Sequence, residues 1–269
     1  MVKKLFKHEF LFYTRVMTLI YAILLTVSAA NRIIQLFAND TVAYTIVSVF
    51  SDVTYGVSVI AAFGFSFVMG IIRFYRNLFT AEGYLTFTLP ATPRQHLLVK
   101  VVTAVGMNLL SVVMILISVC IVSAGELLKE IIIALRYIME KLVELAGGHI
   151  PFYGLELLLL LLAAAFTGIM LYYTFISIGQ LFKKNRILAA VGAYFVYYIL
   201  TQVVSTVITI VFSILAENGA FEQIGAWILE HPFQSVHIGM WGAIVLSAIF
   251  ALVEFLVVKW VITKKLNLE

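Results

Sequence analysis

From Val101 to Gly125 the chain carries no charged residue, and the same holds for Val53–Ile72, Leu157–Phe182 and Ile187–Ala216. These runs constrain the fold more than any other feature. About 20 apolar residues cross a hydrocarbon core of ~30 Å as a helix. The runs are too long for strands and lack period-two alternation, so helices are expected. Two further runs complete the set: Val16–Phe37 is clean as far as Ala30, with Arg32 near one end, and Val236–Val258 is interrupted by Glu254. The expectation is an all-α, polytopic membrane protein with six transmembrane helices, a single domain covering 1–269. A cleaved signal peptide is not expected, because the first run is too long and no small-x-small site ends it.

Composition agrees. Asp, Glu, Lys and Arg make up 12% of the 269 residues and hydrophobic residues 63%, whereas a soluble domain is about 25% charged. So few charges cannot clothe a water-facing surface, which excludes an ordinary cytosolic enzyme, a disordered chain and a disulfide scaffold. The single cysteine, Cys120, forms no internal bridge. The net charge of +4 is explained by asymmetry about a membrane rather than by nucleic acid, which is not an expected partner. Lys3, Lys4, Lys7, Arg15, Arg73, Arg76, Arg94, Lys100, Lys183, Lys184, Arg186, Lys259, Lys264 and Lys265 fall on one side of a six-span topology. Arg32, Lys129, Arg136 and Lys141 fall on the other. The richer side is expected to be cytoplasmic, with both termini there, in a multi-pass plasma-membrane protein.

The segments between the runs carry the functional signal. Residues 1–15 mix basic and aromatic side chains, with Phe6, Phe10 and Tyr13 at i, i+4, i+7 and Lys4, Lys7 and Arg15 largely opposite. An interfacial helix on the inner leaflet is expected, anchored to lipid by Lys3, Lys4, Phe6, Lys7 and Phe10; a snorkelling flank of the first span fits the same pattern. The 74–93 segment is unusually apolar for a cytoplasmic loop. Glu82-Gly83 marks a break, Leu85, Phe87 and Leu89 alternate with threonines, Thr92 suits a helix cap and Pro93 a first turn. Either a partner or the lipid headgroups must cover its apolar groups.

The string Arg-Asn-Leu-Phe-Thr-Ala-Glu-Gly-Tyr-Leu-Thr-Phe-Thr-Leu-Pro at 76–90, followed by a basic residue and a new span, resembles ABC-2-type permease subunits of bacterial ABC exporters, especially those of Gram-positive bacteria. The resemblance implies that this loop is the coupling segment that docks in a groove of a separate ATP-binding subunit. The docking residues would be Phe79, Thr80, Glu82, Gly83, Tyr84, Leu85 and Phe87. It also implies a dimer of permeases, formed with a second copy or a homologue. ATP and Mg would be bound by the partner subunit, and no cofactor by this chain.

Two outer segments remain. In Glu126–His149, Leu128, Ile131, Ile132, Leu135, Ile138, Leu142 and Leu145 keep helical spacing, with charged residues largely opposite and Gly147-Gly148 at the end. An extracellular amphipathic helix over 126–149 is expected. It would cap the outer mouth, lie on the leaflet or extend the third span. The 217–235 segment is expected to be an outer or re-entrant piece. Small residues recur every four positions at Ala62, Ser66 and Gly70, and at Gly239, Ala243, Ser247 and Ala251. Such stripes serve either the bundle interior or a second permease. Glu254 reads as a helix-end ion pair with Lys259 or as a snorkelling flank.

No phosphate-cradling G-x-x-x-x-G-K-[ST] string occurs, no H-E-x-x-H, and no catalytic pairing of Ser, His, Asp or Cys stands out. Ionisable residues are missing from the middle of spans two to five, which disfavours an ion-coupled carrier. The reading is therefore a non-enzymatic permease subunit of an ATP-driven exporter for an amphipathic or hydrophobic substrate such as a peptide, lipid or drug. The rival reading is a non-transporting membrane scaffold or immunity protein that binds a peptide or toxin. The charge asymmetry sets a test. In a background lacking Cys120, Lys184→Cys should resist a membrane-impermeant thiol reagent on intact cells, whereas Arg136→Cys should react. Labelling of both positions would overturn the topology.

Overall fold

The computed structural model describes residues 2–146 and 150–264, and these are helical throughout apart from short turns. The helices are α1 (Val2–Leu36), α2 (Val42–Phe79), α3 (Glu82–Thr88), α4 (Pro93–Val122), α5 (Glu126–Ala146), α6 (Ile150–Gly179), α7 (Arg186–Glu217), α8 (Glu222–Glu230) and α9 (Pro232–Lys264). Six of them, α1, α2, α4, α6, α7 and α9, are long and apolar enough to cross a membrane. Each covers most of one of the apolar runs and begins before it.

Helix boundaries follow local chemistry. Thr41 caps α2, its hydroxyl accepting from the Tyr44 amide. Thr92 and Gln95 form a reciprocal capping box at the start of α4, with Pro93 in the first turn, as their order in the sequence suggests. The α4–α5 turn closes when the Gly125 amide donates to the Cys120 carbonyl at 3.0 Å. Gly125 sits at φ +78°, which a side chain would resist. The amphipathic 126–149 expectation becomes α5. Its proposed stop at Gly147-Gly148, together with His149, lies outside the described residues, as does Lys265.

The expected boundary at residue 15 is corrected. No break occurs near residue 15: Val2–Leu36 is one helix, and its buried stripe runs Glu9, Tyr13, Met17, Tyr21, Leu24, Ser28, Asn31. Tyr13 belongs to that buried stripe, while Phe6 and Phe10 stay partly exposed and stack at 6.0 Å. The stripe advances three or four residues at a time, the spacing that keeps one helix face on its neighbours.

The chain divides into two compact units, Met1–Leu142 and Val143–Glu269. In the first, α1 packs on α4 and α2, α2 packs on α4, and α3 folds back on α2. Tyr13, Met17, Tyr21 and Met107 form its buried core, surrounded by Ile20, Met69, Leu110 and Met114. The Ala62, Ser66, Gly70 stripe is buried here, so it serves the bundle interior. Polar pairs tie the same helices. Ser111 gives its proton to the Met107 carbonyl, so Tyr21 donates to Ser111 Oγ at 2.7 Å. Tyr55 reaches Ser118 Oγ at 3.1 Å in the same manner. Asn31 Nδ2 donates to Asp52 Oδ1 at 2.9 Å.

In the second unit α6 packs on α9 and α7, and α8 on α9. Close approach of α6 and α9 lets Thr167 Oγ1 reach the Ser247 carbonyl at 3.3 Å. Ser247 belongs to the second small-residue stripe, whose Ala243, Ser247 and Ala251 are half-buried. Glu156, one residue before the uncharged run of span four, is buried and contacts His237 Nδ1 at 2.8 Å. Tyr153 stacks on that imidazole at 4.2 Å and donates its hydroxyl to the Phe233 carbonyl at 3.0 Å. The 217–235 segment forms a turn, α8 and a break at His231 before Pro232.

Glu254 is also corrected. It is buried, its Oε2 has no hydrogen-bond partner, and no ion pair with Lys259 forms among the described residues. Five positions advance a helix by roughly 140°, which sets the two side chains on different faces.

Gly179 ends α6 against the start of α7. A methyl group there would stand 2.5 Å from the Arg186 carbonyl oxygen and 2.8 Å from Ala190 Cβ. Gly179→Ala should therefore destabilise the second unit by about 1–3 kcal/mol, the usual cost of overpacking. Gly168→Ala, which points into open space, should not. Unfolding midpoints of the two variants in detergent check this.

Candidate functional site

At one end of the first unit, three helices bring charged side chains to a single point. α1 presents Glu9. α2 presents Arg73 and Asn77, four residues apart and so on one face, and α4 presents His96 and Lys100 with the same spacing. Glu9 Oε1 accepts from Lys100 Nζ at 2.8 Å and from Asn77 Nδ2 at 3.3 Å. Its Oε2 accepts from Arg73 Nε at 3.0 Å. The Arg73 guanidinium also lies 3.8 Å from the centre of the Phe12 ring, a cation–π contact. Side-chain exposure is 4% for Lys100 and 9% for Glu9, so this is a buried ionic cluster rather than a surface pair.

Burial sets its energetics. Two charges taken out of water lose several kcal/mol of hydration each, roughly, and mutual attraction with hydrogen bonds returns it only when the partners stay together. Glu9 meets that condition with three donors on two helices. Such a cluster adds little net stability, but removing one member leaves the others uncompensated.

Beside the cluster is a cleft of about 490 Å³, lined by Lys4, Leu5, His8, Glu9, Arg73, Asn77, Leu85, Thr86, Leu89, Pro90, Ala91 and His96. α1 supplies one wall; α3 and the turn after it supply another. His96 is 2% exposed and its Nε2 has no hydrogen-bond partner; Asn77 Oδ1 is buried and unpartnered too. The Phe87 ring stands edge-on to His96 at 6.0 Å.

The residues expected to couple to a partner divide between inside and outside. Phe79 is buried, edge-on to Phe74 at 5.5 Å, and Gly83 is the buried residue of α3. Thr80 donates its hydroxyl to the Arg76 carbonyl at 2.6 Å, and its own carbonyl accepts from the Gly83 amide at 2.7 Å. Glu82 pairs with Arg76, which pins the start of α3 to the end of α2. Phe87 is half-buried. Tyr84 and Leu85 face outward, 54% and 74% exposed. Of the expected anchoring residues, Lys4 lines the cleft, while Lys3, Phe6, Lys7 and Phe10 are exposed elsewhere on α1.

Sequence reasoning missed Glu9, Asn77, His96 and Lys100 as a group. Their available signal was weak: a lone acid within a basic N-terminal segment, and a lysine one residue ahead of an uncharged run. No protein-family model, curated protein or solved structure matches the chain. Among the described residues no cluster of three His, Cys, Asp or Glu side chains is placed to hold a metal ion. What the site offers chemically is binding: cationic side chains, unpaired polar atoms and an apolar shelf from Leu5, Leu85 and Leu89.

Removing Glu9 tests the cluster. Glu9→Ala should destabilise the protein by about 3–5 kcal/mol, because Lys100 and Arg73 lose their counter-charge. Adding Lys100→Met to Glu9→Ala should recover part of that loss, a coupling visible in denaturation midpoints.

Proposed function

We propose that this chain is the membrane-spanning permease subunit of an ATP-driven ABC exporter. One observation carries the reading: α3 is a short helix between two membrane-length helices, tied down by Arg76–Glu82 and buried Phe79, and it presents Tyr84 and Leu85 outward. A short helix folded back on α2, with exposed apolar side chains at its tip, suits transmission of a push better than a loose loop does. Resemblance of residues 76–90 to the coupling segment of ABC-2-type permeases supports the same assignment.

On this reading α3 faces the cytoplasm, as the crowding of basic residues at its end of the unit favours. Both termini are cytoplasmic, and the protein resides in the plasma membrane of a bacterium. An ATP-binding subunit carries ATP and Mg, and this chain performs no hydrolysis. A second permease, identical or related, completes the pathway. α7 has no buried residue along its whole length, as suits a helix covered by lipid and by that second permease. The substrate is amphipathic or hydrophobic, of the peptide, lipid or drug class.

The decisive experiment is capture of the ATP-binding subunit. Burying a large apolar side chain is worth roughly 1.5–3 kcal/mol, and truncating an interface anchor costs about 2 or more. Tyr84→Ala with Leu85→Ala should weaken association at least about tenfold, since about 1.4 kcal/mol is a factor of ten. Membrane insertion should persist, because both residues lie in α3 and neither is buried. Unchanged association and unchanged transport, at matched protein levels, would favour the scaffold reading.

A further inference from the structure

We propose that the cleft between α1, α3 and the first turns of α4 binds the headgroup of an anionic, polyol-headed phospholipid such as phosphatidylglycerol. The volume of about 490 Å³ lies within the usual range for small-molecule sites. Its lining sorts into three chemistries, and a lipid headgroup matches all three.

The first is charge. Lys4 and Arg73 line the cleft as cations, with the His8 and His96 rings beside them, and Glu9 is the single acid. That carboxylate is already engaged by Lys100, Arg73 and Asn77. Two cations, Lys4 and Arg73, thus line the cleft against one anion that Lys100 already neutralises from behind, and the surplus favours a phosphodiester. The second is a pair of unmet polar atoms. Glu9 holds the Asn77 amide by its Nδ2, so Oδ1 is left as an acceptor with no donor. His96 Nε2, in a side chain 2% exposed, has no partner either. A ligand that satisfies both must carry acceptor oxygens and an O–H or N–H donor, and the cationic lining favours a neutral hydroxyl over an ammonium group. Phosphatidylglycerol has both; a choline headgroup has no hydroxyl and adds a positive charge. The third is the shelf of Leu5, Leu85, Leu89 and Pro90, apolar surface against which the glycerol backbone and the first acyl carbons lie.

Position completes the case, and this part rests on the membrane-spanning reading of α1, α2 and α4. The cleft sits where the uncharged runs of these helices give way to basic residues, at headgroup depth. A lipid seated there would underlie α3 and hold it at a fixed height. This is independent of whether an ATP-binding subunit docks on α3.

The test uses the full chain in neutral detergent, with native mass spectrometry and the thermal unfolding midpoint as readouts. The probes are phosphatidylglycerol, phosphatidylcholine of the same chains, and soluble glycerol 3-phosphate. Phosphatidylglycerol should bind and raise the midpoint, and the other two should not. K4Q/H8Q should weaken phosphatidylglycerol binding at least about fivefold, as loss of a cation at a lipid site does. K183Q/K184Q removes two exposed charges from the turn between α6 and α7, neither of which lines the cleft, and should bind as the unaltered protein does. All four residues are exposed, so folding is preserved. Equal weakening by the two variants would reduce the effect to bulk attraction and overturn the site. Equal binding of phosphatidylcholine, equal stabilisation by glycerol 3-phosphate, or undiminished binding by K4Q/H8Q would overturn it as well.

Discussion

The Glu9 carboxylate, held between Lys100 and Arg73, is the constraint on which the first unit depends. These three residues come from three helices, and each alone would be a charge stranded in an apolar bundle. Joining them obliges α1, α2 and α4 to meet at one end in one rotational setting. The cleft, the support beneath α3 and the buried position of His96 all follow from that meeting. A pair of this kind adds little stability over an apolar replacement, but it penalises every arrangement in which the partners separate. Its contribution is therefore to specify the packing.

Specification matters because lipid supplies no hydrophobic drive between helices; tails are as apolar as leucine. What remains is close contact and hydrogen bonding. The first unit uses buried Ala62, Ser66 and Gly70 with Tyr21–Ser111 and Tyr55–Ser118. The second uses Thr167 against the Ser247 carbonyl and the buried Glu156–His237 contact. α7 contrasts with both. Its contacts with α6 include Tyr194 and Tyr197 around Phe175, yet it buries no residue fully. A helix held so lightly by its own unit is the one most open to lipid or to another protein.

Reading the chain by its apolar runs found all six long helices and placed their starts too late. Asp52, Lys100 and Glu156 each sit one residue outside a run, because a run was ended at its first charge. That rule assumes a charged side chain marks water. Here each helix continues past the charge, which pairs with Asn31, Glu9 and His237 respectively. In the N-terminal segment attention to aromatic and basic residues hid Glu9, whose meaning depends on partners far along the chain. The 76–90 string shows the same division. Its composition marked a surface feature, but which of its apolar groups point inward, as Phe79 does, depends on the α2 face beneath.

The sequence by itself determined the helical class, the number of membrane-length helices, the cap at Thr92 and the lopsided distribution of basic residues. These are one-dimensional properties. Run length, periodicity and capping chemistry act within a few residues, so they are legible without knowing what lies alongside. Only the tertiary structure decided that Arg73 and Lys100 would converge on Glu9 from 64 and 91 positions away. It alone left Asn77 Oδ1 and His96 Nε2 unmet beside a cleft, and turned Tyr84 and Leu85 outward. An apolar helix presents nearly equivalent faces to its neighbours, so periodicity cannot choose among them. The choice is made by which polar groups find partners once the helices have met, and that is a property of the assembled bundle.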